Sequence, residues 1–300
     1  MRATMGTGDR EHWTGPRGRG TLRQRTSALR RAPPTMATTH LGLGQRAREL
    51  RPAGRGARRT RGGGGTETRL SLLGPPRLRV DGSWVELPPT RWVALLAYLA
   101  RCGGWVRREA LAALFWPDHD DHGAALNLRQ TLQTIVRSPG GAALEREPVR
   151  VRWAGGCDVE AFEELVRERA WDAAVEAYRG TFLDGVELDH VPTVQTWIET
   201  ERTGLHERWR TCALTLAASR LETGACRDAL ILAEGLLQAD PYDEAALRLL
   251  LQSTVACGDR QRALRSYRAA CERMASELQL EPEDDTRLLA ADLDLEPPER

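Results

Sequence analysis

The chain has no lysine. All 43 of its basic residues are arginine, in a sequence of 300 residues that also carries 42 acidic ones. Such exclusive use of arginine follows from a GC-rich genome as readily as from a binding demand, so it says nothing about partners. Long apolar runs are missing too. The longest obvious one, Trp92 to Ala100, is far short of the roughly 18 residues a membrane span needs, and no membrane partner is expected. Signatures of catalysis are also missing. There is no GxxxxGK loop ending in Ser or Thr, no GxSxG elbow and no HExxH pair. Gly62 to Gly65 and Gly155-Gly156 lack the strand–loop–helix setting that cradles phosphate. Neither an enzyme nor a bound cofactor is expected.

Cysteine is sparse and scattered. Cys102, Cys157, Cys212, Cys226, Cys257 and Cys271 form no CxxC pair. No secretory signal precedes them, so the plain expectation is reduced thiols in a cytoplasmic protein. His119 and His122 stand in Asp118-His119-Asp120-Asp121-His122. They could serve a metal, or the stretch could be a polar loop opening a helix, with Asp121 or His122 near its N-terminus. The loop is the reading taken, with no metal.

What is present is a charge gradient. Residues 1–67 hold 15 arginines against 4 acidic residues, residues 68–153 hold 12 against 8, and residues 154–300 hold 16 against 30. A basic front and an acidic back imply different partners for the two ends. Residues 1–67 lack apolar periodicity and are expected to form a disordered arm. Such an arm could add non-specific DNA affinity, act as a transit peptide, or precede a true translation start at Met36 or later. No receiver domain is expected within those 67 residues.

Folded structure is expected from about Leu70. Asp81-Gly82 is a hairpin signal between Leu78-Arg79-Val80 and Trp84-Val85-Glu86-Leu87. Thr90 is placed to cap a helix that runs to about Arg101 and stops at Gly103-Gly104. A second helix covers about Arg107 to Trp116, and Pro117 to Gly123 forms a loop. The next helix, Gly123 to Arg137, carries Leu128, Leu132 and Ile135 on one stripe. Opposite stand Asn127, Gln130, Gln133, Thr134 and Arg137, groups able to read base edges in a major groove. No Asp or Glu occurs in that stretch. A second hairpin follows, whose return strand Val149 to Trp153 sets Arg150 and Arg152 on one face. Sheet, helix, helix, loop, helix, hairpin is the order of a winged helix, whose third helix enters the major groove.

The acidic part carries apolar residues at helical spacing throughout. It also repeats with a period of 34. Gly224 matches Gly258, and Ala229-Leu230 matches Ala263-Leu264. A helix precedes each of these glycines and another follows it, the tetratricopeptide pattern. Such repeats stack into a solenoid that binds peptides or partner helices. A bundle that only supports a dimer would carry the same spacing.

From Leu70 to Leu289 the chain resembles the SARP-type bacterial regulators. The residues that carry the resemblance are Trp92 to Ala100, Arg108 to Leu111 with Leu114 to Pro117, and Asn127 to Leu132. In the acidic part they are Tyr178 to Gly185, Trp197 to Arg202 and Leu278 to Pro282. One departure is that Val136 to Arg150 is short for the family's helix end plus wing. The resemblance implies a mainly α fold. An OmpR-like winged helix-turn-helix domain with small β-sheets (68–153) precedes an all-α, tetratricopeptide-like bacterial transcriptional activation domain (154–293), with a tail at 294–300. It implies a transcriptional activator that binds double-stranded DNA at promoter repeats, in tandem or as a homodimer, and contacts RNA polymerase. The loop Pro117–Gly123 and the helical domain are the implied polymerase-facing surfaces. DNA contacts are expected from Asn127, Arg129, Gln130, Gln133, Thr134, Arg137, Arg150 and Arg152. The alternative is a tetratricopeptide adaptor whose winged helix is vestigial.

Overall fold

A computed structural model of the chain describes residues 68–295. The expectations for residues 1–67, and for the tail beyond Leu295, lie outside the described residues. Three short strands come first: β1 (Arg69–Ser71), β2 (Arg77–Val80) and β3 (Ser83–Glu86). Asp81 and Gly82 turn the β2–β3 hairpin with φ of 51° and 83°. Two successive positive φ values are what a two-residue hairpin requires, and Asp-Gly supplies them at little cost.

Helix α1 (Arg91–Cys102) follows, then β4 (Val106–Arg107), α2 (Arg108–Phe115) and α3 (Asp121–Arg137). A hairpin of β5 (Leu144–Arg146) and β6 (Arg150–Trp153) closes this part, with β6 paired to β4 on its other side. Two local expectations need correction. Thr90 stands at the N-cap of α1, but its hydroxyl donates to the Pro88 carbonyl and caps nothing. The loop before α3 is shorter than expected, because the helix begins at Asp121 rather than Gly123.

The first sheet has a fourth strand that the sequence does not announce. β7 (Gly156–Cys157) runs parallel to β1, giving the order β3-β2-β1-β7. Two residues are too few to show a period. Just after it, the carboxylate of Asp158 accepts from the Ser71 hydroxyl and from the N–H groups of Leu72 and Leu73 at 2.8–3.1 Å. Asp158 also opens α4 (Asp158–Arg167).

The remaining helices are α5 (Trp171–Ala177), α6 (Pro192–Glu222), α7 (Cys226–Ala239), α8 (Glu244–Ala256), α9 (Arg260–Arg273) and α10 (Asp284–Asp292). A π-helical turn, Met274–Leu278, extends α9. The 34-residue repeat is visible in the backbone. Gly224 and Gly258 have φ of 80° and 88°, and each joins two antiparallel helices. The matched Ala229 and Ala263 are both fully buried, where a larger side chain would force the helices apart.

One core runs from Leu70 to Cys212 and draws on the sheets, α1 to α6 and the loop before α6. Phe182 and Tyr98 both meet Trp197 of α6 edge-on, at 5.8 and 5.1 Å. A second core, including Ala233, Leu251 and Tyr267, fills the repeats. The expectation of reduced thiols is corrected at one place: Cys226 and Cys257 form a disulfide. They are 31 residues apart in sequence, yet α7 and α8 run up and back, so the start of one lies beside the end of the other. Among the described residues no helix is long and apolar enough to cross a membrane.

Candidate nucleic-acid interface

The site is built on α3. The Asp120 side chain accepts from the Gly123 N–H at 2.8 Å and caps the helix, with Asp121 in its first turn and Arg137 in its last. Both ends therefore complement the helix dipole. At the far end Ser138 closes the helix: its hydroxyl donates to the Ile135 carbonyl at 2.6 Å. Leu128, Leu132 and Ile135 are buried, as the stripe predicts; of the two alanines that would extend it by one turn, Ala124 is buried and Ala125 is exposed, since it falls to the side of the stripe.

Gln130, Gln133, Thr134 and Arg137 are exposed, and Asn127 is half-buried. At 3.6 residues per turn, Gln130, Gln133 and Arg137 lie directly opposite the buried stripe, while Asn127 and Thr134 fall on one flank and Arg129 on the other. The Thr134 hydroxyl donates to the Gln130 carbonyl, so its proton is already used within the helix. Because α3 starts at Asp121, it does contain one carboxylate. Asp121 lies near the side of the buried stripe and lines the cleft against α2, away from Gln130 and Gln133.

Arg150 and Arg152 do share a face of the hairpin, and the structure gives them partners that the alternation alone did not suggest. Both guanidinium groups lie over the Trp105 ring, at 4.7 and 4.8 Å from its centroid. Arg150 pairs with Glu147 at 2.6 Å, and Arg152 with Glu145 at 2.7 Å. Glu145 stands directly across from Arg152 in the β5–β6 register, the arrangement in which opposite charges attract. The hydrogen bond from Arg150 holds the Glu147 carboxyl below the usual carboxylate range.

Two further arginines, Arg108 and Arg146, join the site without any signal in the sequence. Arg108 opens α2, and its backbone N–H donates to the Val149 carbonyl of the hairpin at 3.0 Å. Its side chain lines a cleft of about 840 Å³ between α2 and α3, with Arg129, Trp116 and Leu128. The buried Nε of Arg108 has no hydrogen-bond partner. Burial, and then the nearby charges of Arg146 and Arg129, hold its guanidinium below the ordinary arginine range. Charges from α3 and the hairpin thus both bear on this arginine of α2. Among the described residues no ion pair neutralises any of the three. Positive charge gathered in this way attracts anions. Nothing in sequence spacing could have found this, since the three arginines come from three elements.

In the repeats, a cleft of about 620 Å³ is lined by Leu237, Tyr242, Leu250, Arg273 and Glu277 among others. Among the described residues no group of three or more His, Cys, Asp or Glu is arranged to hold a metal ion.

Residues 157–293 match the family model of the bacterial transcriptional activator domain. A solved structure, Mycobacterium tuberculosis EmbR in complex with a low affinity phosphopeptide, has a similar fold. Its TM-score is 0.54 at 20% identity, covering 78% of this chain and 67% of that one. Comparison with curated proteins gives no significant match. The matched domain begins at Cys157, in β7, so it shares a sheet with the strands of the basic part. Residues 157–293 thus match a bacterial transcriptional activator domain, and the chain has a fold like that of EmbR over most of its length.

Proposed function

We propose that this chain is a SARP-type transcriptional activator that binds double-stranded promoter DNA in a sequence-specific way and contacts RNA polymerase. Residues 68–153 act as a winged helix. In this reading α3 enters the major groove, Gln130 and Gln133 read base edges, and Asn127 and Thr134 support them from one flank. Arg129, Arg137, Arg150 and Arg152 meet the phosphate backbone. The observation that carries the reading is the exposed face of α3. It presents amides and arginine with no carboxylate, beside an unneutralised cluster formed by Arg108, Arg129 and Arg146. Amides can pair twice with an adenine edge, and guanidinium groups draw phosphate.

The short turn between α2 and α3, together with the repeats, faces the polymerase. The cleft beside Tyr242 offers both apolar and charged groups to a protein segment. The protein works in the cytoplasm, on the nucleoid when bound, as a homodimer or in tandem on repeated sites. Selection of binding sites from random double-stranded DNA tests the reading. A recurring motif in two half-sites is expected. Recovery of unrelated sequences would leave the tetratricopeptide adaptor as the better account.

A further inference from the structure

Among the exposed residues of α3, one carries a large apolar side chain. Leu126 is 48% exposed and belongs to none of the hydrophobic clusters. At 3.6 residues per turn, Leu126, Gln130, Gln133 and Arg137 fall within an arc of about 60°. That arc lies opposite Leu128, Leu132 and Ile135. A lone exposed leucine elsewhere on a surface needs no explanation. Leu126 differs in its company, for it continues the row of Gln130 and Gln133 by one helical turn toward the N-terminus. Arg129, exposed on the flank of this arc, favours the approach of a polyanion.

Major-groove base edges carry one prominent apolar substituent, the thymine 5-methyl group. We propose that Leu126 reads a thymine 5-methyl group beside the base that Gln130 reads. The inference rests on the reading that α3 enters the major groove, and it adds a specificity-determining residue of a different chemistry. One helical turn separates Leu126 from Gln130, about 6 Å along the axis. With about 3.4 Å between successive bases, the thymine lies within about two base pairs of the position sensitive to Gln130. Contact with the methyl group removes apolar surface of both partners from water, and nothing ionic is involved. Its contribution is therefore insensitive to salt, unlike that of the arginines.

The test uses the full chain and duplexes selected from random DNA. Each thymine is replaced in turn by deoxyuridine, which pairs identically and lacks the methyl group. Affinities are measured for the parent, Leu126→Ala and Leu126→Met. One replacement, within two base pairs of the position relaxed by Gln130→Ala, is expected to weaken the parent about fourfold, the worth of one buried methyl group. Leu126→Ala should bind the thymine duplex about fourfold less tightly and ignore the same replacement. Leu126→Met, which keeps an apolar side chain, should respond as the parent does. Leu126→Ala should melt with the parent, since the position is exposed. If the deoxyuridine effect is as large in Leu126→Ala as in the parent, or no thymine matters, the inference is overturned. It is overturned too if Leu126→Ala changes self-association and leaves DNA affinity alone. Should Gln130→Ala and Gln133→Ala also leave base preference unchanged, the reading of α3 falls with it. Should they relax it while Leu126 shows no coupling to the methyl group, only this inference falls.

Discussion

The guanidinium of Arg101, on α1, makes a two-pronged contact with the carboxylate of Glu163, on α4, at 3.1 and 3.0 Å. Its other edge donates to Glu201 of α6 at 3.0 and 2.8 Å. Arg101 is 10% exposed. Burial alone pulls its guanidinium down, but the two carboxylates outweigh that and hold it above the ordinary arginine range. One side chain therefore ties the helix before the site to two helices of the acidic part. Replacing Arg101 with Ala would strip two half-buried carboxylates of their shared guanidinium, although Glu163 keeps Arg208 at 3.8 Å. A loss of about 3 kcal/mol is expected, near the lower end for breaking a buried pair. Denaturant unfolding of the full chain checks it. Adding Glu163→Gln and Glu201→Gln to Arg101→Met should recover part of the loss, and a variant as stable as the parent would show that the contact contributes nothing.

Residues around α3 should divide into two classes on DNA. Gln130→Ala and Gln133→Ala are expected to relax preference at particular bases, each by about 1–3 kcal/mol. Arg108→Ala, Arg146→Ala and Arg137→Ala should weaken matched and mismatched duplexes alike. Each should flatten the log–log salt slope by about 0.9 for every phosphate left without its arginine. Arg150→Ala should flatten it less, because Glu147 already neutralises that guanidinium in the free protein. Titrations at two salt concentrations separate the classes, and an equal slope change for Arg108 and Arg150 would contradict this ordering.

Acid should loosen the repeats through Asp243. Its side chain is 2% exposed and pairs with Arg210 at 2.5 and 2.7 Å, while accepting from the Ala246 N–H at the start of α8. Burial raises its carboxyl, but the hydrogen bonds from Arg210 and Ala246 outweigh burial and hold it below its ordinary value of 3.8. A carboxyl depressed in the folded state stabilises fully above its unfolded value. That stabilisation is lost as pH falls through the folded one. Stability of the parent should therefore drop below about pH 4 more steeply than that of Asp243→Asn. Parallel pH profiles for the two would remove Asp243 from the account.

The Cys226–Cys257 disulfide closes a 31-residue separation. A loop of that size is worth about 2–4 kcal/mol through the unfolded chain. Reductant should lower the melting temperature of the parent and leave that of Cys226→Ser with Cys257→Ser unchanged. If the parent melts alike in both conditions, the bridge does not hold the repeats.

The stripe of Leu128, Leu132 and Ile135 was legible because a helix with one buried face must repeat its apolar residues every three or four positions. The Asp81-Gly82 turn was legible because few residues tolerate two positive φ values. Gly224 and Gly258 announced the repeat for the same reason, being the residues that can end one helix and let the next turn back. These are local rules, and a single chain displays them in its order of residues.

Tertiary structure alone decided the rest. β7 is two residues long, and only its pairing with β1 makes it a strand. Arg150 and Arg152 were placed on the right face, but their partners Glu147 and Glu145 follow from the hairpin register. Arg129 and Arg146 act on Arg108 because α2, α3 and the hairpin converge. Cys226 and Cys257 meet because two helices run antiparallel. In each case the deciding quantity is a distance between residues far apart in the chain, or a register between strands, and periodicity within one segment carries no record of either.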